Sequence, residues 1–127
     1  PLTARKAIRP KDLAGKPFVR PSKVAPALNA AIDDYAARRG ISLKPDHEVE
    51  NLSMAVALIA STRSIGLVPN YARNLLPPTV VTRPLEGDVP TIDLVVGYSK
   101  ASTSPVLKRF LSKVDDLVAR VAEKGTG

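Results

Sequence analysis

Between Asn51 and Pro69 the chain reads NLSMAVALIASTRSIGLVP, and a helical apolar pattern gives way abruptly to a strand-like one. Leu52, Ala55, Val56 and Ile59 recur with the period of one helix face, and Asn51 is a residue type that caps helix N-termini. Ile65, Leu67 and Val68 then spell a short strand, closed by Pro69, which has no N–H to give to a ladder. A helix running through so short a turn into a buried strand constrains the fold to layers in which helix packs on sheet.

The rest of the chain continues that alternation. A strand is expected from Pro17 to Arg20, followed by the loop Pro21-Ser22-Lys23 and a helix from Pro26 to Arg39. Leu28, Ile32 and Tyr35 share one face of that helix, Pro26 is tolerated in its first turn, and Gly40 supplies its stop. A strand follows near His47 to Glu50. Beyond Pro69 the pattern predicts a short helix from Asn70 to Leu76, ended by Pro77-Pro78, then strands Thr79 to Arg83 and Ile92 to Val96. The last element reads as one helix capped by Ser104, with Pro105 at its first position. Leu107, Phe110, Leu111, Val114, Leu117, Val118 and Val121 form one stripe on it that has to be buried. Strands alternating with helices predict an α/β fold, a Rossmann-like lobe with helices on both faces of its sheet.

Composition sets bounds on what such a lobe does. With 127 residues and 44% apolar residues, one domain with its own core is expected. Cysteine is absent, so neither a disulfide framework nor thiolate chemistry is available. No apolar run approaches the ~18 residues of a membrane span, and Pro1 opens no signal-peptide pattern, so a cytoplasmic protein with no membrane partner is expected.

The net charge of +7 is concentrated near the start of the chain. Arg5, Lys6, Arg9, Lys11, Lys16, Arg20 and Lys23 face a single acid, Asp12, with Phe18 the sole aromatic among them. A phosphate-tracking surface is one reading, although stacking aromatics are scarce and no helix-turn-helix is visible. A solvated basic segment, or the anion-attracting edge of a cleft, is the other.

Catalytic chemistry finds no convergent group of residues. Asp46, His47, Glu48 and Glu50 have the residue types of a metal site, but strand alternation places His47 on the face opposite the three carboxylates. Asp33-Asp34 and Asp115-Asp116 lie on helices, where neighbours diverge, and read as solvated faces or ion-pair partners. None of the seven glycines falls in a phosphate-binding pattern, and no cofactor is expected.

Binding is better motivated, at Arg20-Pro21-Ser22-Lys23-Val24-Ala25-Pro26-Ala27-Leu28. This junction joins a strand end, a loop and a helix N-terminus, whose free N–H groups and dipole favour a small anion. Ser22 offers a hydroxyl, and Arg20 and Lys23 offer positive charge, just beyond the carboxyl end of a strand where open α/β sheets bind ligands. The plainer alternative is an ordinary strand-to-helix loop with Ser22 as the helix cap.

The unit Asn51 to Pro69 resembles the second regulatory subdomain of LysR-type transcriptional regulators, whose pattern is an apolar helix, a small-residue turn and Gly-Ile-x-Leu-Val-Pro. Flanking segments follow the family's order. Pro1-Leu2-Thr3-Ala4 with Asp12-Leu13-Ala14-Gly15-Lys16-Pro17-Phe18-Val19 looks like the crossing into that subdomain. Arg83-Pro84-Leu85, Ile92-Asp93-Leu94-Val95-Val96 and Ser104-Pro105-Val106-Leu107-Lys108-Arg109-Phe110-Leu111 look like the return and the last helix. One departure is Ser61-Thr62-Arg63-Ser64, where the family usually has Ala-Ala-Gly-x-Gly, which puts the construction of that turn in question.

The resemblance implies one lobe of a periplasmic-binding-protein type II fold, with a C-terminal strand and helix that belong to the other lobe. Residues 1–14 would be the crossing segment, 15–88 the second regulatory subdomain, and 89–127 the return strand and C-terminal helix of the first. It implies an effector-sensing domain of a bacterial regulator, not an enzyme, holding a small carboxylate, aromatic or otherwise, between two lobes. Ser22 matches a hydroxyl residue that commonly contacts effectors; Pro26, Ala27 and Leu28 match pocket-lining positions, and so does Ile92. The family pattern further implies a longer chain, with promoter DNA reached only through an N-terminal helix-turn-helix upstream of this piece. It also implies a homo-oligomer, since an orphaned strand Ile92 to Val96 and the last helix would need partners. Two other classes stay open: the lobe of a periplasmic-type solute-binding protein, and a small enzyme whose catalytic groups come from another region.

Overall fold

A computed structural model describes residues 1–92, 95 and 97–125, which fall into two compact units, Pro1–Asp93 and Leu94–Gly127. In the first unit a short helix α1 (Pro10–Leu13) precedes strand β1 (Phe18–Pro21), helix α2 (Pro26–Arg38), strand β2 (His47–Val49), helix α3 (Leu52–Thr62) and strand β3 (Ile65–Gly66). A 3-10 helix over Asn70–Leu75 follows. The three strands are parallel in the order β2-β1-β3, with Val19 opposite His47 and Phe18 opposite Ile65.

Strand order determines where the helices go. The connection through α2 moves from the centre of the sheet to one edge, and the connection through α3 returns past the centre to the other edge. Because such crossovers are right-handed, the two helices cover opposite faces. The central strand shows the result: Phe18 and Val19, whose side chains point to opposite faces, are 0% and 3% exposed. A mixed α/β architecture with a parallel sheet is therefore observed, and the burial of both faces of β1 agrees with a helix on each.

Local chemistry sets each boundary. Helix α2 buries Ile32, Tyr35 and Ala36 along one face. It ends at Gly40, whose φ of +62° is left-handed, with Gly40 N–H donating to Ala37 O at 3.2 Å and Ile41 N–H to Ala36 O at 3.0 Å. That paired pattern satisfies the last carbonyls of the helix. Tyr35 is sealed against Ile8 and Leu13; its hydroxyl has no hydrogen-bond partner among the described residues, and burial pushes its pKa up. Helix α3 starts at Asn51, whose side chain accepts the Met54 N–H at 2.9 Å.

The turn from α3 to β3 passes through Arg63 at φ +56°, the one non-glycine residue with positive φ among the described residues. A side chain in this region costs about 1–2 kcal/mol. Thr62 and Ser64 share a hydrogen bond through their hydroxyls across this residue, and Thr62 Oγ1 also donates to Leu58 O at 2.6 Å. The turn is thus built from hydroxyl bonds where the related pattern has glycines. Gly66 sits in a tight place of a different kind, where a Cβ would lie 3.2 Å from Ile59 Cδ1 and 3.4 Å from the Val19 carbonyl oxygen and the Ile59 tip would have to shift.

Asp46 joins the start of β2 to β1. Its carboxylate accepts the Phe18 N–H at 2.8 Å, and its own N–H donates to Phe18 O at 2.9 Å. Asp46, of the mixed acid and histidine stretch, is therefore structural, and among the described residues no group of three or more His, Cys, Asp or Glu is placed to hold a metal. In the basic opening segment, Asp12 pairs with both Arg5 (3.2 Å) and Arg9 (3.1 Å), and the Arg9 bond holds its carboxyl below the usual range.

Two expectations are corrected, and a third falls partly outside the described residues. Thr79 to Arg83 form no strand; instead Ile8 and Leu85 make an isolated parallel bridge, and Arg83 donates to Arg5 O at 2.6 Å and Thr3 O at 2.8 Å. Both prolines of Pro77-Pro78 lack an N–H, and the following chain is secured by the Arg83 side chain in place of a ladder. The expected strand Ile92 to Val96 falls partly outside the described residues, and Ile92 and Val95 lie in no strand. The last helix is two helices, α4 (Pro105–Leu111) and α5 (Val114–Gly125). At the break Ser112 Oγ donates to Arg109 O at 2.7 Å and Lys113 N–H closes a tight turn on Phe110 O at 2.9 Å. Ser104 caps α4 through the Leu107 N–H at 3.3 Å, and the apolar stripe is largely exposed, Val118 and Val121 at 62% each.

Asp46→Ala strands the N–H of a fully buried residue and is expected to lower unfolding free energy by about 1–3 kcal/mol in urea denaturation, with Asp46→Asn losing less. Arg63→Gly is expected to raise it by about 0.5–1 kcal/mol, the relief of the left-handed conformation less the extra entropy of glycine.

Candidate functional site

The strand order identifies where a ligand site belongs. Neighbouring strands β1 and β2 send their following chain to opposite faces of the sheet, which opens a crevice at their carboxyl ends. A cleft of about 450 Å³ lies there, lined by Arg20 and Pro21 of β1, Ser22 and Lys23 of the loop, Pro26, Asn29, Ala30 and Asp33 of α2, and Glu48 of β2. Its volume suits a small organic molecule.

Asn29 shapes the loop. Its Nδ2 donates to Pro21 O at 2.9 Å and to Ser22 O at 2.8 Å, while its Oδ1 accepts the Arg20 Nε–H at 2.7 Å. Ser22 N–H donates to Val49 O at 2.7 Å, and Ala25 N–H donates to Ser22 O at 3.2 Å. The loop is therefore held by α2 on one side and by the end of β2 on the other.

Arg20 forms a two-pronged pair with Asp33, Nη1 to Oδ1 at 2.8 Å and Nη2 to Oδ2 at 2.7 Å. The hydrogen bond from Arg20 holds the Asp33 carboxyl below its ordinary pKa, and Asp33 raises that of Arg20. Arg20 thus lies in the cleft, as expected from the sequence, but its charge is matched and its fork is engaged. Asp34, the adjacent acid, pairs with Arg38 at 2.8 Å, so both acids of Asp33-Asp34 are ion-pair partners.

Ser22, Lys23 and Pro26 line the cleft, and Lys23 is exposed with no ion pair among the described residues. Ser22 does not cap α2. The capping position is Ala25, no side chain bonds there, and Ser22 Oγ reaches only the Val24 N–H, at 3.5 Å. The first-turn amides of Ala27 and Leu28 thus lack a side-chain partner, which preserves the positive end of the helix. Ala27 is exposed and Leu28 half-buried on that turn, and neither is among the lining residues. Ile92 is half-buried and also outside the lining set. Sequence reading missed Asn29, Asp33 and Glu48 as cleft residues. The four-residue spacing of Asn29 and Asp33 on one helix face was the available signal.

The Arg20–Asp33 pair predicts a pH signature. A folded pKa below the unfolded value of about 3.9 gives stability that is present above that pH and is lost as pH falls through the folded value. The melting temperature of the native chain is expected to exceed that of Asp33→Asn near pH 6, with the gap closing as pH falls below the unfolded value and through the lowered folded one. Asp33 is largely exposed, so the gap is small.

Residues 1–118 match the family model described as LysR substrate binding domain. The chain is similar to the Hca operon transcriptional activator HcaR of Escherichia coli (strain K12), at 27% identity over 95% of this chain and 41% of the relative. It is similar to the HTH-type transcriptional regulator AlsR of Bacillus subtilis (strain 168), at 23% identity over 100% of this chain and 42% of the relative. A third relative, the HTH-type transcriptional regulator BudR of Raoultella terrigena, is 23% identical over 87% of this chain and 39% of its own length. The chain therefore spans about two-fifths of the length of the curated relatives it matches. No solved structure gives a significant match. With nearly the whole chain covered by one family model, this protein belongs to the LysR substrate-binding domain family.

Proposed function

We propose that this chain senses a small carboxylate effector for a bacterial LysR-type transcriptional regulator, and that the cleft at the ends of β1 and β2 is its share of the effector site. The observation that carries the reading is this cleft, opened by the strand order and walled by an uncapped helix N-terminus, in a chain of the LysR substrate-binding family. Family membership implies a periplasmic-binding-protein-like α/β fold, and the parallel sheet with its crossover helices agrees with that. In this reading residues 15–88 form the second of two lobes, 1–14 cross into it, and 89–127 return to the first. Promoter DNA is contacted by a helix-turn-helix elsewhere in the longer protein, and the regulator works in the cytoplasm as a homo-oligomer. No helix among the described residues is long and apolar enough to cross a membrane.

The chemistry of the cleft supports recognition over catalysis. Among the described residues Ser22 presents a hydroxyl engaged in only one long contact and Lys23 an unpaired ammonium, and Pro21, Pro26 and Ala30 offer apolar surface for a carbon skeleton, aromatic or aliphatic. Effector capture would favour one arrangement of the two lobes, and its effect on transcription would equal its preference for that arrangement. The exposed stripe on α4 and α5 would be covered in the intact protein by the other lobe or by another copy.

Because Ser22 caps nothing, Ser22→Ala is expected to leave unfolding free energy within about 0.5 kcal/mol of the native value. It is also expected to abolish the thermal shift produced by the best of a panel of small aliphatic and aromatic carboxylates. A full ligand response in both Ser22→Ala and Lys23→Ala would remove the cleft from the account.

A further inference from the structure

Four charged side chains line the cleft, two cationic and two anionic: Arg20, Lys23, Asp33 and Glu48. Arg20 and Asp33 are matched to each other through two short bonds. That leaves Lys23 and Glu48, both exposed, with neither a hydrogen bond nor an ion pair to the side chain of either among the described residues. The cleft charge held in no direct ion pair is therefore one positive and one negative group, on different elements, with Glu48 adding a weaker electrostatic pull on Arg20 behind that of Asp33.

Register explains why Glu48 stays unpaired beside an arginine. Arg20 and Glu48 are partners across the parallel pair β1 and β2, so their side chains leave the same face of the sheet. Asn29 Oδ1 holds Arg20 Nε at 2.7 Å and turns its guanidinium towards Asp33 on α2. Glu48 is thus left next to a guanidinium that already has its carboxylate. A simple monocarboxylate entering here gains Lys23 but brings its charge towards Glu48 and Asp33. A ligand with a carboxylate at one end and an ammonium at the other satisfies both free groups.

We infer that the cleft takes a zwitterionic ligand of the amino-acid class, with its carboxylate towards Lys23 and Ser22 and its ammonium towards Glu48. This inference rests on the effector reading above and narrows it. Lys23 and the Ser22 hydroxyl donate to the carboxylate, and Glu48 accepts from the ammonium, so each charged end meets a charge-assisted hydrogen bond. Pro21, Pro26 and Ala30 leave room for a small side chain between them.

The test uses the protein at its full natural length and ligand pairs that differ only in the ammonium: alanine with propionate, and phenylalanine with 3-phenylpropionate. Thermal shift and calorimetric titration are run on the native protein and on Glu48→Gln, whose side chain supports nothing in the fold. The inference expects at least one amino acid to bind about tenfold more tightly than its acid, and Glu48→Gln to erase that advantage. Acids that bind as well as or better than their amino acids overturn the zwitterion and leave the carboxylate sensor standing. An amino-acid preference that survives in Glu48→Gln overturns the assignment of the ammonium to Glu48. Absence of binding by every acid and every amino acid overturns both readings.

Discussion

The side chain of Asn29 is the fixed point of this lobe. One amide binds two consecutive loop carbonyls, Pro21 O and Ser22 O, and accepts from the arginine at the end of the central strand. Without it the segment from Ser22 to Ala25 would keep one backbone bond to β2 and nothing would aim Arg20 at Asp33. The loop carries the hydroxyl and the ammonium of the cleft, so its rigidity decides whether those groups are pre-placed for a ligand or must be ordered on binding. An asparagine with both ends of its amide satisfied is well suited to this, because each bond fixes a different atom.

The same helix extends the site to the rest of the unit. At its far end Arg39 Nη2 donates to Asp88 O at 2.5 Å and Arg38 reaches the Asp88 carboxylate at 3.4 Å. Gly87, at φ +84°, lets that turn approach, since a Cβ there would lie 3.3 Å from Arg39 Nη2. Arg83 meanwhile fastens the opening segment to the chain that follows Pro84, alongside the Ile8–Leu85 bridge. One rigid helix therefore contacts the cleft with its first turns and the chain leaving the sheet with its last.

Much of this was legible in the sequence because it is governed by local rules. The caps at Asn51 and Ser104, the stop at Gly40, the face of Leu28, Ile32 and Tyr35 and the parallel alternation all follow from neighbours a few residues apart. The strand predicted at Thr79 to Arg83 was not, because β-branched residues there meet no partner strand and the segment is secured by Arg83 side-chain bonds to residues far away in sequence. The break at Ser112 was hidden by an apolar stripe that continues across it. In the cleft, Ser22, Lys23 and Pro26 could be read from the strand-to-helix junction. Glu48 could not, since it joins them only through the register of β1 with β2, and the neutralisation of Arg20 required knowing that Asp33 faces it from α2.

The proposed sensor role rests on the cleft lined by both charged and apolar residues, together with membership of the LysR substrate-binding domain family. The most direct measurement is a crystal structure of the full-length protein with the ligand that produces the largest thermal shift. The account predicts ligand density in the crevice beyond β1 and β2, in hydrogen-bond contact with Ser22 and Lys23 and beside Glu48, with the Asn29 bonds to the loop intact. Ligand bound elsewhere, with this crevice open to solvent, would contradict it.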